Sequence, residues 1–166
     1  MRVKVWGVRG SIPSCVEKQS IFGSNTTCIS IEFDDVLVIC DAGSGLFPCA
    51  HQIGGSYKKI ILCLTHLHWD HIIALPFFSG FYQKDTEVIM ASPHPKFDSG
   101  LLHYLMNGVQ FPITSDMLLN QPVIVKSNLE DMFKPHQVKF QHHLVFHPGG
   151  AYAFAFEKNN KRVVFC

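Results

Sequence analysis

The sequence predicts a mixed α/β fold built on β-sheet, and three patterns support this. Residues 2–6 alternate charged and apolar side chains with the period of two that is typical of a half-exposed strand. Residues 59–64 form a continuous apolar run, as expected for a strand buried on both faces. Residues 99–106 instead space their leucines as an amphipathic helix does. Strands with helices interspersed, and no helix-only region, indicate layers of helix and sheet.

The other elements follow in chain order from the same patterns. A Gly- and Ser-rich connection over residues 7–24 is predicted to lie near a functional site, because long loops in compact domains often do. Asp34 and Asp35 separate two strand candidates closely enough for a hairpin. Pro76 limits a short helix predicted over residues 72–78. The further predicted strands are residues 28–33, 36–40, 87–91, 123–126, 137–146, 151–157 and 162–165.

Composition indicates a globular protein. The chain has 166 residues, 47% of them hydrophobic, which is enough for one domain, residues 1–166, with its own core. Its 14 basic and 13 acidic residues leave a net charge of +1, so charge favours neither nucleic acid nor a membrane surface as a partner. The sequence has neither the apolar run of a secretory signal nor one of membrane-spanning length. These features predict a cytoplasmic protein that has no membrane partner.

Six cysteines raise the question of disulfides. None stands at CxxC spacing, and several lie in apolar, strand-like runs. Free buried thiols in a reducing compartment are therefore expected.

The segment from Thr65 to His71, THLHWDH, brings four metal-ligand types together where a buried strand meets a helix. His66 and His68 are two residues apart in an extended segment, so their side chains point to the same side and can chelate one ion. Asp70 and His71, where the chain turns towards the helix, can reach a second ion. Imidazole and carboxylate ligands suit zinc, and manganese and iron also accept them. Unrelated polar residues in a loop are the alternative, which so specific a pattern disfavours.

THLHWDH resembles the signature of the metallo-β-lactamase superfamily. The resemblance covers nearly the whole chain through the blocks VWGVRGSIPS, GSNTTC, ICDAGSGL, ILCLTHLHWDHIIALPFF, MNGVQFPI and HPGGAYAFAFE. In this order they resemble a bacterial branch of phosphodiesterase-like or ribonuclease Z-like hydrolases. The resemblance implies an αββα sandwich with a site for two metal ions at its edge.

The resemblance also implies further site residues. The histidine of the HPGG block is a metal ligand in that branch, so His147 would complete a three-histidine site with His66 and His68. Without the resemblance, a histidine at a strand end before a Pro-Gly-Gly turn is more often an ordinary surface residue. Asp41 lies in the block that supports the metals, where it would accept the second N–H of a ligating imidazole. A turn aspartate with no such role is an equal alternative.

Two loop residues complete the candidate site. Arg9 and Asn25 belong to loops that resemble those facing the site, and an arginine fork suits phosphate, although a loop arginine is more often simply solvated. The other histidines are expected to be structural or match no ligand block: His51, His94, His103, His136, His142 and His143.

The resembled pattern continues after a strand like RVVFC with an aspartate that bridges two metals, and later with a further histidine. This chain stops at Cys166, so the C-terminal part of the sandwich is expected to be missing. A truncated or frame-shifted product fits, and so does a chain completed by a second copy or by another protein. One ion held by three histidines is then the alternative to two ions.

The function that the resemblance implies is metal-dependent hydrolysis of a phosphodiester, either a cyclic nucleotide or a nucleic-acid linkage, with Asp70 as a catalytic residue. A glyoxalase II-like thioester hydrolase and a non-catalytic metal-binding remnant are the alternatives. His68 stands where flavin-partnered di-iron members usually carry glutamate, and this favours hydrolysis over redox chemistry.

Overall fold

The computed structural model describes residues 1–14, 21–53 and 55–166. Within them the strands form two sheets, and short α-helices and 3-10 turns connect the strands. The strands are β1 Arg2–Gly7, β2 Cys28–Phe33, β3 Val36–Cys40, β4 Lys59–Cys63, β5 Glu87–Ala91, β6 Val123–Val125, β7 Lys139–Val145, β8 Ala151–Lys158 and β9 Lys161–Phe165. The α-helices are α1 Leu46–Ile53, α2 Trp69–Ile72 and α3 Gly100–Leu105.

The first sheet has the strand order β1-β2-β3-β4-β5-β6. β1, β2 and β3 are antiparallel neighbours, with Asp34 in the left-handed region at the β2–β3 hairpin. From β3 to β6 the strands are parallel, so each pair needs a crossover connection. β3 and β4 therefore end side by side, with Cys40 in register with Cys63. This register makes the residues that follow, Asp41 and Thr65, neighbours in space.

Helices cover one face of the first sheet. β3 is apolar throughout because both of its faces are buried: Leu37 and Ile39 face the helices, and Val38 and Cys40 face the second sheet. The core on the helix side also contains Leu46 of α1, together with side chains of α3 and the 3-10 turns. This layer of helices on sheet confirms the predicted α/β class.

The second sheet, β7-β8-β9, packs on the other face of the first sheet. We call the apolar side chains between the two sheets the inter-sheet core. Phe156 of β8 lies in its centre, with its ring centroid 6.2 Å from Phe33, 5.5 Å from Phe133 and 5.1 Å from Phe140. Phe154 and Phe156, two residues apart on this strand, point to the same face and are both fully buried. The packing of the two sheets presents the β7–β8 turn at the same edge as the end of β4.

The opposite face of the second sheet is open in the described part of the chain. Gln141, His143, Ala153, Ala155 and Val164 line a groove of about 280 Å³ there. The described α-helices place their buried residues in the core on the first sheet. The layers present in residues 1–14, 21–53 and 55–166 are thus helix, sheet and sheet.

Two helices differ from the prediction. The helix predicted over residues 72–78 is instead α2, which begins at Trp69 and ends at Ile72, followed by a 3-10 turn over Leu75–Phe77. Pro76 has no N–H and cannot continue an α-helix, and this explains the change to a 3-10 turn. Helix α1 was not predicted. Its buried residues Leu46, Cys49, Ala50 and Ile53 have helical spacing, which is the signal that identifies it.

The thiol prediction is confirmed for the four buried cysteines, which are free: Cys28, Cys40, Cys49 and Cys63. Cys166 is also free but exposed, and Cys15 lies outside the described residues, as does part of the connection predicted over residues 7–24. None of the helices described is both long and apolar enough to cross a bilayer.

The inter-sheet core makes a stability prediction. Replacing Phe156 with alanine should lower the free energy of unfolding by about 3–5 kcal/mol, because it removes a fully buried ring and leaves a cavity among three other rings. Urea unfolding followed by circular dichroism measures this change. Phe22, which is 81% exposed, is the matched control, and Phe22→Ala should change stability by less than about 0.5 kcal/mol. Equal effects for the two variants would contradict the assignment of this core.

Candidate metal centre

Two separate segments build the candidate centre. The first follows β4, where Thr65, His66 and His68 continue an extended backbone into α2. The second is the turn between β7 and β8, which carries His147. The Tyr152 N–H donates to the Thr65 carbonyl at 3.1 Å and ties the two segments together.

Three imidazoles converge where these segments meet. His66, His68 and His147 each offer a nitrogen, and these nitrogens all lie within 4.8 Å of one another. His147 Nε2 is 3.1 Å from His68 Nδ1. The His66 ring centroid lies 4.5 Å from that of His68 and 4.7 Å from that of His147. His66 is buried, whereas the other two are exposed, so the group opens to solvent on one side.

The hydrogen bonds of His66 leave one nitrogen free to bind a cation. The Thr65 hydroxyl donates its single proton to Asp41, at 2.8 Å from Oδ2. It must then accept the proton of His66 Nδ1, which lies 2.9 Å away. This tautomer puts the lone pair of His66 on Nε2, a buried atom with no hydrogen-bond partner among the described residues.

The protonation state of His66 also suits the binding of a cation. Burial, and then the neighbouring imidazoles of His71, His68 and His147, lower the pKa of His66 to about 3. The imidazole is therefore neutral at physiological pH. Three histidines with an oriented lone pair match the ligand set of a catalytic zinc site.

Asp41 lies beneath this group and is fully buried. Its Oδ1 accepts the Thr65 backbone N–H at 2.8 Å, and its Oδ2 accepts His71 Nδ1–H at 2.7 Å. Burial raises the pKa of Asp41, and the hydrogen bonds from His71 and Thr65 oppose this. Burial lowers the pKa of His71, but the hydrogen bond and charge of Asp41 outweigh it and raise that pKa overall.

Asp70 and His71 lie beside the three histidines but outside their group. The His71 ring centroid is 4.1 Å from that of His66, and His71 Nε2 is 3.5 Å from Asp70 Oδ2. The same carboxylate oxygen accepts the Ser11 N–H at 2.8 Å. Ser11 has a φ of 68° and therefore a left-handed backbone conformation. The Ser11 N–H, in that conformation, holds the Asp70 carboxylate in place.

The two loop candidates make local contacts. Arg9 is exposed, and its Nε donates to the Ile12 carbonyl at 3.0 Å, within its own loop. Asn25 accepts a hydrogen bond from the Ser44 hydroxyl at 3.1 Å and lines a largely apolar cavity of about 380 Å³ with Phe47 and Phe77. Neither side chain belongs to the group of three histidines.

Two cavities adjoin the histidines. One, of about 350 Å³, extends from Asp41 and His66 towards Tyr152 and Cys166. The other, of about 200 Å³, is lined by His66, Leu67, His68, His94, Lys96, Gly149 and Gly150. Sequence reasoning did not select Thr65, His94 or Lys96. Thr65 stands inside the THLHWDH segment, but nothing local in the sequence singles out His94 or Lys96.

Comparison with known proteins supports the fold. No protein-family model matches the sequence. A 51-residue stretch, 30% of this chain, is 37% identical to ribonuclease Z of Agathobacter rectalis and covers 17% of that protein.

Solved structures match almost the whole chain. YhfI of Bacillus subtilis, a metallo-β-lactamase fold protein, matches 98% of it with a TM-score of 0.64 and 17% identity. The short form of human tRNase Z (ELAC1) matches 99% with a TM-score of 0.65 and 15% identity. A diphosphatase of the PhnP family matches 93% with a TM-score of 0.64 and 18% identity. This chain spans 60%, 68% and 61% of those three chains, respectively. The chain therefore has the metallo-β-lactamase fold.

Proposed function

We propose that this protein is a metal-dependent hydrolase of phosphodiesters, with a divalent cation held by His66, His68 and His147. The observation that carries the proposal is the buried Nε2 of His66, which has no hydrogen-bond partner among the described residues and belongs to a ring grouped with two further imidazoles. Zinc suits three imidazole ligands, and manganese or iron would also bind. Such a cation polarises a phosphoryl oxygen and lowers the pKa of bound water.

The protein's own groups orient these ligands. Thr65 and Asp41 hold His66 in one tautomer, and the same carboxylate holds His71. We propose that Asp70 and His71 serve a second cation position or handle protons there, with the Ser11 N–H keeping the Asp70 carboxylate in place. Asp70 is thus the proposed catalytic carboxylate.

The positive charge of Lys96 favours an anionic substrate. It is exposed and lines the cavity of about 200 Å³ that also contains His66 and His68. The net charge of the chain is only +1, so attraction of a phosphodiester must come from such a local cation. Two of the structural neighbours are named as a tRNase and a diphosphatase, which agrees with a phosphate-containing substrate. We propose a small phosphodiester or a nucleotide, and the four buried free thiols support a cytoplasmic location.

The proposal predicts metal-dependent turnover of bis(4-nitrophenyl) phosphate. Chelation should abolish the release of 4-nitrophenol, and Zn²⁺ or Mn²⁺ should restore it. His68→Ala should remove turnover because it deletes a ligand, while His103→Ala, on the exposed face of α3, should leave it unchanged. Hydrolysis of a thioester without hydrolysis of the phosphodiester would refute the assignment. One tightly bound ion with no turnover of either would identify a non-catalytic metal-binding protein.

The hydrogen-bond chain from Asp41 to His66 predicts an effect on metal affinity. Thr65→Val removes the hydroxyl that fixes the His66 tautomer, so zinc affinity should fall by about 10–100-fold. Competition with a chromophoric chelator measures the zinc affinity. Thr86 is a buried threonine far from the site, and Thr86→Val should bind zinc as the unaltered protein does. Unchanged affinity in Thr65→Val would mean that the chain does not orient His66.

The role of Lys96 is tested by removing its positive charge. Lys96→Met should lower kcat/KM for the anionic diester by about tenfold, as loss of one charged hydrogen bond of about 1.5 kcal/mol would. Lys84→Met removes an exposed lysine from a cavity remote from the histidines and should have no effect. An unchanged kcat/KM in Lys96→Met would exclude Lys96 from substrate binding.

A further inference from the structure

His94 is a buried histidine outside the proposed ligands, and backbone groups occupy both of its ring nitrogens. It is 6% exposed. The Lys96 backbone N–H lies 3.2 Å from Nδ1, and the Gly149 carbonyl lies 3.0 Å from Nε2. An amide N–H can only donate and a carbonyl can only accept. Nδ1 is therefore the acceptor, and Nε2 carries the proton that it donates to Gly149.

The segment that carries His94 is itself tied to the end of β4. The Ser92 hydroxyl donates to the Leu64 carbonyl at 2.7 Å and accepts the His94 backbone N–H at 3.2 Å. Leu64 immediately precedes Thr65 and His66 in the chain. A line of hydrogen bonds thus runs from the segment that carries His66 and His68, through Ser92 and His94, to the turn at Gly149.

Apart from the His94–Gly149 bond, the described residues give that turn the contact between His147 and His68 and one hydrogen bond of its own. Its residues from His147 to Gly149 are exposed, and Gly149 and Gly150 both have positive φ, at 82° and 86°. Within the turn the Gly150 N–H donates to the His147 carbonyl at 2.9 Å. Glycines have no side chains to pack and keep wide backbone freedom. The carbonyl of Gly149 is therefore the point at which a neighbouring side chain can fix the turn.

We propose that His94 is a positioning residue that holds the His147–Gly150 turn and thereby keeps the His147 imidazole within reach of His66 and His68. This inference rests on the proposed function in one respect, which is that His147 binds the cation. The hold of His94 on the turn is independent of that assignment. Backbone groups occupy both ring nitrogens of His94, so it acts through the position of His147 and not as a ligand.

Substitution of His94 by asparagine and by glutamine tests its two hydrogen bonds separately. The Asn amide oxygen lies near the position of Nδ1, so His94→Asn keeps an acceptor for the Lys96 N–H but loses the donor to Gly149. The Gln amide nitrogen reaches the position of Nε2, so His94→Gln keeps that donor. His51 is exposed at the end of α1, and His51→Asn is the matched control.

Two measurements test the proposal on the full chain. The first is zinc affinity by chelator competition, where His94→Asn should bind at least about tenfold more weakly than the unaltered protein. The second is hydrogen exchange of the Gly150 amide in metal-free protein, which should be faster in His94→Asn while Ile61 of the buried strand β4 stays protected. His94→Gln should largely restore both values, and His51→Asn should change neither.

The outcomes separate the inference from the proposed function. If the unaltered protein binds no metal, the proposed function fails, and Gly150 exchange still decides whether His94 holds the turn. If metal binds but His94→Asn matches the unaltered protein in affinity and exchange, the inference is wrong and the proposed function stands. Loss of protection at Ile61 in His94→Asn, or failure of His94→Gln to restore either value, would reveal a general structural role and would also overturn the inference.

Discussion

The rest of the site depends on the hydrogen bonds that the buried carboxylate of Asp41 accepts from Thr65 and His71. A carboxylate that is fully removed from water is tolerated only when hydrogen bonds replace its hydration. Here Thr65 supplies a backbone and a hydroxyl donor, and His71 supplies a ring N–H. The backbone around Asp41 is equally constrained. The Asp41 N–H donates to the Cys63 carbonyl, and the Ala42 N–H donates to the backbone carbonyl of His71. The side chain of Asp41 thus fixes the end of β3, the segment that follows β4 and helix α2 relative to one another.

The second requirement is that the two sheets pack in a fixed relation. His147 lies in the β7–β8 turn of the smaller sheet, and the inter-sheet core around Phe133, Phe140 and Phe156 packs that sheet against the larger one. Close packing of aromatic rings leaves little freedom for sliding. Polar contacts at the opposite end of the sandwich add to this, since Lys158 of β8 binds Asp34 in the β2–β3 hairpin at 2.6 Å. The geometry of the three imidazoles is therefore a property of the whole sandwich.

Much of this arrangement could be predicted from local patterns. Every predicted strand is present within one or two residues of its predicted bounds, because the alternation of side chains reports directly which faces are buried. His66 and His68 could be predicted for the same reason, as neighbours on one extended segment. The grouping of His147 with them required a resemblance, since no local feature separates a histidine of such a group from an ordinary surface histidine at a strand end. The hydrogen bonds of Thr65 to Asp41 and of Ser92 to Leu64 could not be predicted, because they depend on the register of parallel strands that are distant in sequence. The hydrogen bond of His94 to Gly149 depends in turn on how the two sheets pack.

The division of the three histidines between the two sheets has a thermodynamic consequence. His68 and His147 are 79 residues apart in the sequence, and they meet only when the smaller sheet is docked on the larger. Any ion that binds all three must favour the docked arrangement over open ones by its differential affinity. Ion concentration and sheet docking would then be linked equilibria, and a variant that bound the ion more weakly would gain less stabilisation of the docked arrangement from it.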